Sequence, residues 1–88
     1  MEIQGRTVLV IDDDADTREQ LTGVLREAGL DSVTAADAQS GLAAARRQPP
    51  ALVLLEADLP GSTRLEVLEE LRARPETAHV PVLVLTES

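Results

Sequence analysis

The sequence predicts a single α/β domain built on a parallel β-sheet with helices on both faces. Three short runs are continuously apolar and do not alternate with polar residues: Thr7–Ile11, 52–55 and Val82–Leu85. Such runs are typical of strands that are buried on both faces, as in a parallel sheet. Helical segments separate these runs, so strands and helices alternate along a chain of 88 residues.

The first helix is predicted between the first apolar run and a weaker strand over 32–36, whose small and hydroxylated residues favour an edge position. Either Asp14 or Asp16 can cap its start, and Gly29 can end it. Four residues recur at the i, i+3, i+4 and i+7 spacing of one buried helix face: Leu21, Val24, Leu25 and Ala28.

Two further helices are predicted over 38–48 and 64–75. Asp37 can cap the first of them, and the proline pair that follows it would end it. The second has a pair of opposite charges at i and i+4, Glu70 and Arg74, and a proline at its end. Its buried side is predicted to be lined by Val67, Leu68 and Leu71.

Composition and charge exclude several classes of function. The formal net charge of −8 disfavours binding to nucleic-acid phosphates and to anionic membranes, and no aromatic side chain is present for stacking on bases. Cysteine is absent and His79 is the single histidine, which excludes thiolate sites and histidine clusters. With no signal peptide and no apolar run of membrane-spanning length, we expect a soluble, cytoplasmic domain.

Acidic side chains gather where the predicted strands end. Asp12, Asp13 and Asp14 follow the first strand, and Glu56 and Asp58 follow the third. The carboxyl ends of parallel strands lie at one edge of the sheet, which is where open α/β folds place functional residues. We therefore expect carboxylates from the first and third strands to converge there. The simpler reading is a set of helix caps and turn formers, which fits the side chains of Asp14 and Asp58.

Three segments together resemble the receiver domain of two-component response regulators: "VLVIDDD", "LVLLEADLPG" and "VPVLVLTES". The resemblance runs from about Arg6 to Ser88 and implies a flavodoxin-like, doubly wound parallel sheet. The family's strand order is 2-1-3-4-5, so we expect about four strands in the order 2-1-3-4 and three helices. On this reading, residues 1–88 form a receiver-like domain that lacks the family's last helix, strand and helix.

The resemblance also implies a role for each site residue. Asp12 and Asp13 match the acidic pair that holds Mg²⁺, and Glu56 matches the phosphorylated aspartate of the family. Asp58 matches the residue whose backbone carbonyl completes the metal shell. Thr86 matches the switch hydroxyl that turns toward the phosphoryl group, although it is also an ordinary β-branched strand residue. Mg²⁺ prefers hard oxygen ligands of this kind.

The chain departs from the family at the acceptor, where glutamate replaces aspartate. The extra methylene moves the carboxylate of Glu56 by about one carbon–carbon bond, roughly 1.5 Å. Misplacement of a nucleophile by about 1 Å can lower a rate on the order of 100-fold.

Arg64 stands where the family often has glycine; it is either a solvated side chain or a counter-ion for the acids. No lysine is present to serve as the family's phosphoryl-contacting lysine, because all eight basic residues are arginines.

We therefore expect an atypical receiver that is not an enzyme and that acts by binding proteins, either a histidine kinase or an output protein. One alternative is a working receiver that is phosphorylated on Asp58 or another pocket acid by a sensor histidine kinase. Another is a structural domain that binds a divalent metal. The apolar fourth strand, as an uncovered edge, predicts self-association unless the chain is a piece of a longer protein. His79 is expected to be exposed and without a role in phosphotransfer.

Overall fold

The computed structural model describes residues 7–59, 61 and 64–86. Seven elements alternate along them: β1 (Thr7–Ile11), α1 (Ala15–Glu27), β2 (Asp31–Ala35), α2 (Ala38–Arg47), β3 (Leu52–Glu56), α3 (Arg64–Arg72) and β4 (Val82–Leu85). All strand pairs are parallel, and the sheet order is β2-β1-β3-β4. The predicted flavodoxin-like class, strand order and three helices are therefore confirmed. No helix in these described ranges is long and apolar enough to cross a membrane.

The sheet has an apolar layer on each face, as a doubly wound fold requires. Alternate residues of β1 point to opposite faces, so Leu9 and Ile11 pack with residues of α2 and α3. Val8 and Val10 pack on the other face, where α1 supplies partly buried leucines. The apolar runs in the sequence are continuous because helices cover both faces of the central strands.

Helix α1 begins and ends at the residues that the sequence favoured. Asp14 is its N-cap, and Gly29 follows its C-cap with a φ of +82°, a conformation that glycine adopts without strain. The amide of Leu30 donates to the carbonyl of Leu25 at 2.9 Å, and the amide of Gly29 donates to that of Arg26 at 3.0 Å. These two bonds form a Schellman motif, which satisfies carbonyls that the helix end would leave unpaired.

The predicted buried face of α1 is only partly correct. Leu21 and Leu25 pack on the sheet, but the side chain of Val24 is 64% exposed, and Ala28, the C-cap, is also exposed. Successive helical residues are about 100° apart, so Val24 lies beside the contact made by Leu25 and faces solvent. The stripe that contacts the sheet is therefore narrower than the periodicity suggested.

Helix α3 ends at Arg72, three residues before the predicted boundary. The hydroxyl of Thr77, a buried residue, donates to the carbonyl of Leu71 at 2.7 Å and so satisfies a carbonyl at the helix end. Arg72 donates to the carbonyl of Val80 at 3.1 Å, which holds the connection to β4 against the helix. The residue before Pro75 is also disfavoured in helical conformation, so the helix stops early.

The predicted pair of Glu70 with Arg74 is replaced by a different contact. Glu70 accepts from the guanidinium of Arg46 in α2 at 2.9 Å, while Arg74 lies beyond the end of α3. An i, i+4 pair requires both residues on one helix, so the early end of α3 removes its geometry. The smaller differences are that β2 begins and ends one residue early, that α2 stops at Arg47, and that β3 includes Glu56.

Candidate metal and phosphoryl site

Three carboxylates meet where β1 and β3 end. Ile11 and Leu55 are register partners on these neighbouring strands, so the residues that follow them, Asp12 and Glu56, emerge side by side. Carboxylate oxygens of Asp12, Asp13 and Glu56 all lie within 4.8 Å of one another. The parallel pairing of two strands thus brings together acids that are far apart in sequence.

Asp12 is the most buried of the three acidic residues. It is 2% exposed, and its backbone amide donates to the carbonyl of Ala35 in β2 at 3.0 Å. Its Oδ1 accepts from the backbone amide of Asp14 at 2.9 Å, and its carbonyl accepts from Nη1 of Arg18 at 2.7 Å. Three contacts therefore fix the start of the loop that joins β1 to α1.

Asp13 and Asp14 are both exposed, but their side chains have different surroundings. The carboxylate of Asp13 belongs to the acidic group described above. The carboxylate of Asp14 accepts from the amide of Asp16 at 3.2 Å and from the hydroxyl of Thr17 at 2.8 Å. Asp14 is thus the helix cap, and Asp16 lies within the first helical turn, where a carboxylate favours the helix dipole.

Glu56 is partly buried at the end of β3, and its Oε1 accepts from the backbone amide of Ala57 at 3.0 Å. The same amide donates to the carbonyl of Leu85 in β4, also at 3.0 Å. Leu85 is the register partner of Glu56, and Thr86 follows it, exposed, at the same edge of the sheet. Asp58 is exposed in the turn after β3. The metal, acceptor and switch roles of these residues stay predictions.

Two other predicted candidates lie on the surface. Arg64 is exposed at the first residue of α3, and its role as a counter-ion stays a prediction. His79 is exposed in the segment between α3 and β4, as expected from the sequence.

Arg18 is the site residue that the sequence reading missed. It is half-buried in the first turn of α1, and its guanidinium reaches back to the carbonyl of Asp12. A cation near a helix N-terminus is disfavoured by the helix dipole, so an arginine there indicates a partner of its own. That signal was present in the sequence beside the aspartate triplet.

The donor set fits a hard divalent cation. Mg²⁺ takes oxygen ligands and is usually held by one or two carboxylates, with water or phosphate oxygens completing its shell. The buried carboxylate of Asp12 and the exposed one of Asp13 offer such ligands, with Glu56 beside them. A bound cation would also offset the mutual repulsion of three neighbouring negative charges.

Comparison with protein families and with curated proteins gives one consistent result. The family model "Response regulator receiver domain" matches residues 8–88. The chain is 45% identical over 80 residues to "Probable transcriptional regulatory protein TcrX" of Mycobacterium tuberculosis, covering 91% of this chain and 33% of that protein. It is 41% identical over 86 residues to "DNA-binding response regulator MtrA" of Mycobacterium bovis, covering 98% of this chain and 36% of that protein.

Solved structures agree with this result. The N-terminal domain of a response regulator receiver protein from Methanoculleus marisnigri matches with a TM-score of 0.88 and 33% identity, over 93% of this chain and 67% of that one. The chemotaxis response regulator CheY4 of Vibrio cholerae matches with a TM-score of 0.88 and 28% identity, over 93% of this chain and 68% of that one. The chain spans about a third of the length of the curated relatives.

Proposed function

The chain belongs to the response regulator receiver domains of two-component signalling, and from this premise we propose that it is an atypical receiver that signals by binding proteins. The observation that carries the proposal is the glutamate beside the acidic pair. Glu56 has carboxylate oxygens within 4.8 Å of those of Asp12 and Asp13. By its resemblance to the family, Glu56 matches the phospho-acceptor position. The chain then acts as a regulatory module rather than as an enzyme.

The extra methylene of Glu56 supports a changed role for the acceptor position. It moves the carboxylate roughly 1.5 Å further from the backbone than aspartate would. A phosphoryl group on aspartate also extends outward, so the glutamate oxygens approach the region where phosphoryl oxygens would lie. One carboxylate carries about half the charge of a phosphoryl group, so the mimicry is partial. Glu56 thereby holds the pocket in a permanently negative state.

Intact-mass measurement after incubation with acetyl phosphate and Mg²⁺ tests this proposal. We expect the wild-type chain to gain no phosphoryl group. The carboxylate of Glu56 is displaced by about 1 Å or more from the position of an aspartate carboxylate, and such displacement lowers the rate on the order of 100-fold. Glu56→Asp restores the family's acceptor, so this variant should gain one phosphoryl group. Failure of Glu56→Asp to gain it would count against the acceptor assignment.

Asp58 supplies the matched control for this experiment. It is exposed two residues after Glu56 and is the acceptor in the alternative proposal, a working receiver that takes a phosphoryl group from a sensor histidine kinase. If the wild-type chain gains a phosphoryl group and Asp58→Asn abolishes the gain, this alternative replaces the atypical receiver. If Asp58→Asn leaves the Glu56→Asp gain unchanged, Asp58 is excluded as the acceptor.

The acidic group also supports a second candidate function, that of a structural domain that binds a divalent metal. Asp12 and Asp13 are then Mg²⁺ ligands, together with Glu56 and the backbone carbonyl of Asp58. Replacement of Asp12 and Asp13 together by asparagine removes two negative charges and should abolish Mg²⁺ binding in a calorimetric titration. Unchanged affinity in the double variant would exclude the pocket as the metal site.

The partners that we propose are proteins: a histidine kinase on the input side or an output protein downstream. Both MtrA and TcrX are regulators by their names, and this chain corresponds to about a third of either protein. The net charge of −8 disfavours direct contact of these 88 residues with nucleic acid, and no membrane contact is proposed. A cytoplasmic location is consistent with this role.

A further inference from the structure

We propose that Arg18 is a positioning residue for the acidic pocket: its contact with the β1–α1 loop holds Asp12 and Asp13 in the arrangement that binds a divalent cation. This inference rests on the proposed pocket function. Arg18 does not supply a ligand atom, and its guanidinium acts through the backbone of Asp12.

The contact joins a helix to the first residue after β1. Nη1 of Arg18 donates to the carbonyl of Asp12 at 2.7 Å, and Arg18 is half-buried. A hydrogen bond from an ionised donor is shorter and stronger than one between neutral groups. On the other side, the amide of Asp12 donates to the carbonyl of Ala35, so the peptide groups on both sides of this residue are fixed.

The hydrogen bonds of the loop link this contact to the carboxylates. The Asp12 carbonyl belongs to the peptide group that leads into Asp13, whose carboxylate is one of the three in the acidic group. One residue later, the amide of Asp14 donates to Oδ1 of Asp12 at 2.9 Å. Rotation of the Asp12–Asp13 peptide would therefore disturb both carboxylates and this hydrogen bond.

Charge and positioning predict opposite effects of removing Arg18. If the guanidinium acted only as a nearby positive charge, its removal would tighten cation binding, because it repels the cation. If it positions the loop, its removal should weaken cation binding. Loss of a group that orients metal ligands typically costs 10–100-fold in affinity. The sign of the change therefore distinguishes the two roles.

The test is a Mg²⁺ titration of the 88-residue chain and its variants, combined with amide hydrogen exchange. We expect Arg18→Ala to weaken Mg²⁺ binding about 10-fold or more. We also expect faster exchange at the amide of Asp14, which reports loop order without any metal. Arg18→Lys keeps a charged donor and should recover most of both losses. Arg18→Met keeps most of the aliphatic side chain without a donor or a charge, and it serves as the second variant if Arg18→Ala does not fold.

Arg26→Ala is the control, because it makes the same charge change on the same helix at an exposed position eight residues further on. It should leave Asp14 exchange unchanged and should not weaken Mg²⁺ binding. Equal or tighter Mg²⁺ binding by Arg18→Ala, with Asp14 exchange unchanged, would overturn the positioning role. If the wild-type chain binds no Mg²⁺ but Arg18→Ala still accelerates hydrogen exchange at the Asp14 amide, the proposed metal-binding function is wrong. The positioning of the β1–α1 loop by Arg18 is then supported on its own.

Discussion

Gly41 of helix α2 packs directly against Ile11 of strand β1. A Cβ atom built at this position would lie 2.5 Å from Cδ1 and 2.8 Å from Cγ1 of Ile11, closer than real Cβ atoms approach their neighbours. Ile11 is 1% exposed and β-branched, so its side chain has little freedom to move away. Glycine at this position allows α2 to pack against the strand that leads into Asp12.

We predict that Gly41→Ala lowers the free energy of unfolding by about 1 kcal/mol. Alanine in a helix normally gains about 0.5–1 kcal/mol over glycine, but overpacking of a core costs about 1–3 kcal/mol and exceeds this gain. Urea unfolding measures the difference. Ile11→Val removes the atom nearest to the new methyl group, so the double variant should be more stable than the sum of the two single changes indicates.

Gly23→Ala is the matched control. Gly23 lies within α1, and a Cβ atom there would meet nothing within 4 Å. The variant should therefore raise the free energy of unfolding by about 0.5–1 kcal/mol, since only the helix preference changes. If both glycine variants change stability in the same direction, the close approach of Gly41 to Ile11 does not determine the effect.

At the scale of elements, a side-chain cap begins α2. The carboxylate of Asp37 accepts from the amide of Ser40 at 2.8 Å and from its hydroxyl at 2.7 Å. These two hydrogen bonds hold the pKa of Asp37 below its ordinary value of 3.8. A carboxyl group with a lowered pKa in the folded state contributes stability above its unfolded pKa and loses it as pH falls through the folded value.

We predict that replacing Asp37 changes stability in a pH-dependent way. Asp37→Ala removes the cap, so it should lower the free energy of unfolding at neutral pH. The difference in free energy of unfolding between this variant and the wild type should shrink as the pH falls below about 3.8. Asp37→Asn keeps a capping oxygen without a titrating proton, so it should retain most of the neutral stability. Urea unfolding between pH 2 and pH 7 measures these free energies. If the free energy that Asp37→Ala loses relative to the wild type does not vary with pH, the prediction is wrong.

The strands and caps were predictable because their signals are local. A continuous apolar run such as Thr7–Ile11 identifies a strand buried on both faces, and Asp37 before a helical segment identifies a cap. The ion pair between Arg46 and Glu70 joins residues 24 apart in sequence, so no periodicity within one helix indicates it. The exposure of Val24 is likewise not indicated by local sequence, because it depends on how wide the sheet beneath α1 is. Only tertiary packing determines that width.

For the site, sequence order and parallel topology together predicted that acids after β1 and β3 would lie at one edge of the sheet. Which aspartate of the triplet enters the pocket depends on where α1 begins, and the structure resolves this by making Asp14 the cap. The contact of Arg18 with Asp12 depends on the direction in which an arginine side chain leaves the first helical turn. Composition carries no information on that direction, so the contact between Arg18 and Asp12 can be identified only in the folded structure.

On the scale of the whole molecule, β2 and β4 are the edge strands of the sheet that the described residues form, and β4 is apolar. The carbonyls of Pro81 and Leu85 accept from β3, so the backbone groups of Val82 and Val84 face away from it. No strand pairs with this side of β4 in the parts of the chain that are described, and Leu83 is 56% exposed. Unpaired backbone groups on an apolar strand favour the addition of a strand from another molecule.

We predict that the 88-residue chain self-associates through the outer edge of β4. Sedimentation or light scattering should show an average mass that rises with concentration from the monomer mass of 9.4 kDa. Leu83→Lys places a charge on the edge strand, which blocks edge pairing, so this variant should remain monomeric at concentrations where the wild type associates.

Val24→Lys is the matched control, because Val24 is also a large exposed apolar residue, at 64%, but lies on α1 and away from the β4 edge. It adds the same charge and should leave association unchanged. If Val24→Lys disrupts association as strongly as Leu83→Lys, the association is not specific to the β4 edge and the prediction is wrong. A mass that stays at 9.4 kDa at every concentration would contradict self-association by either surface.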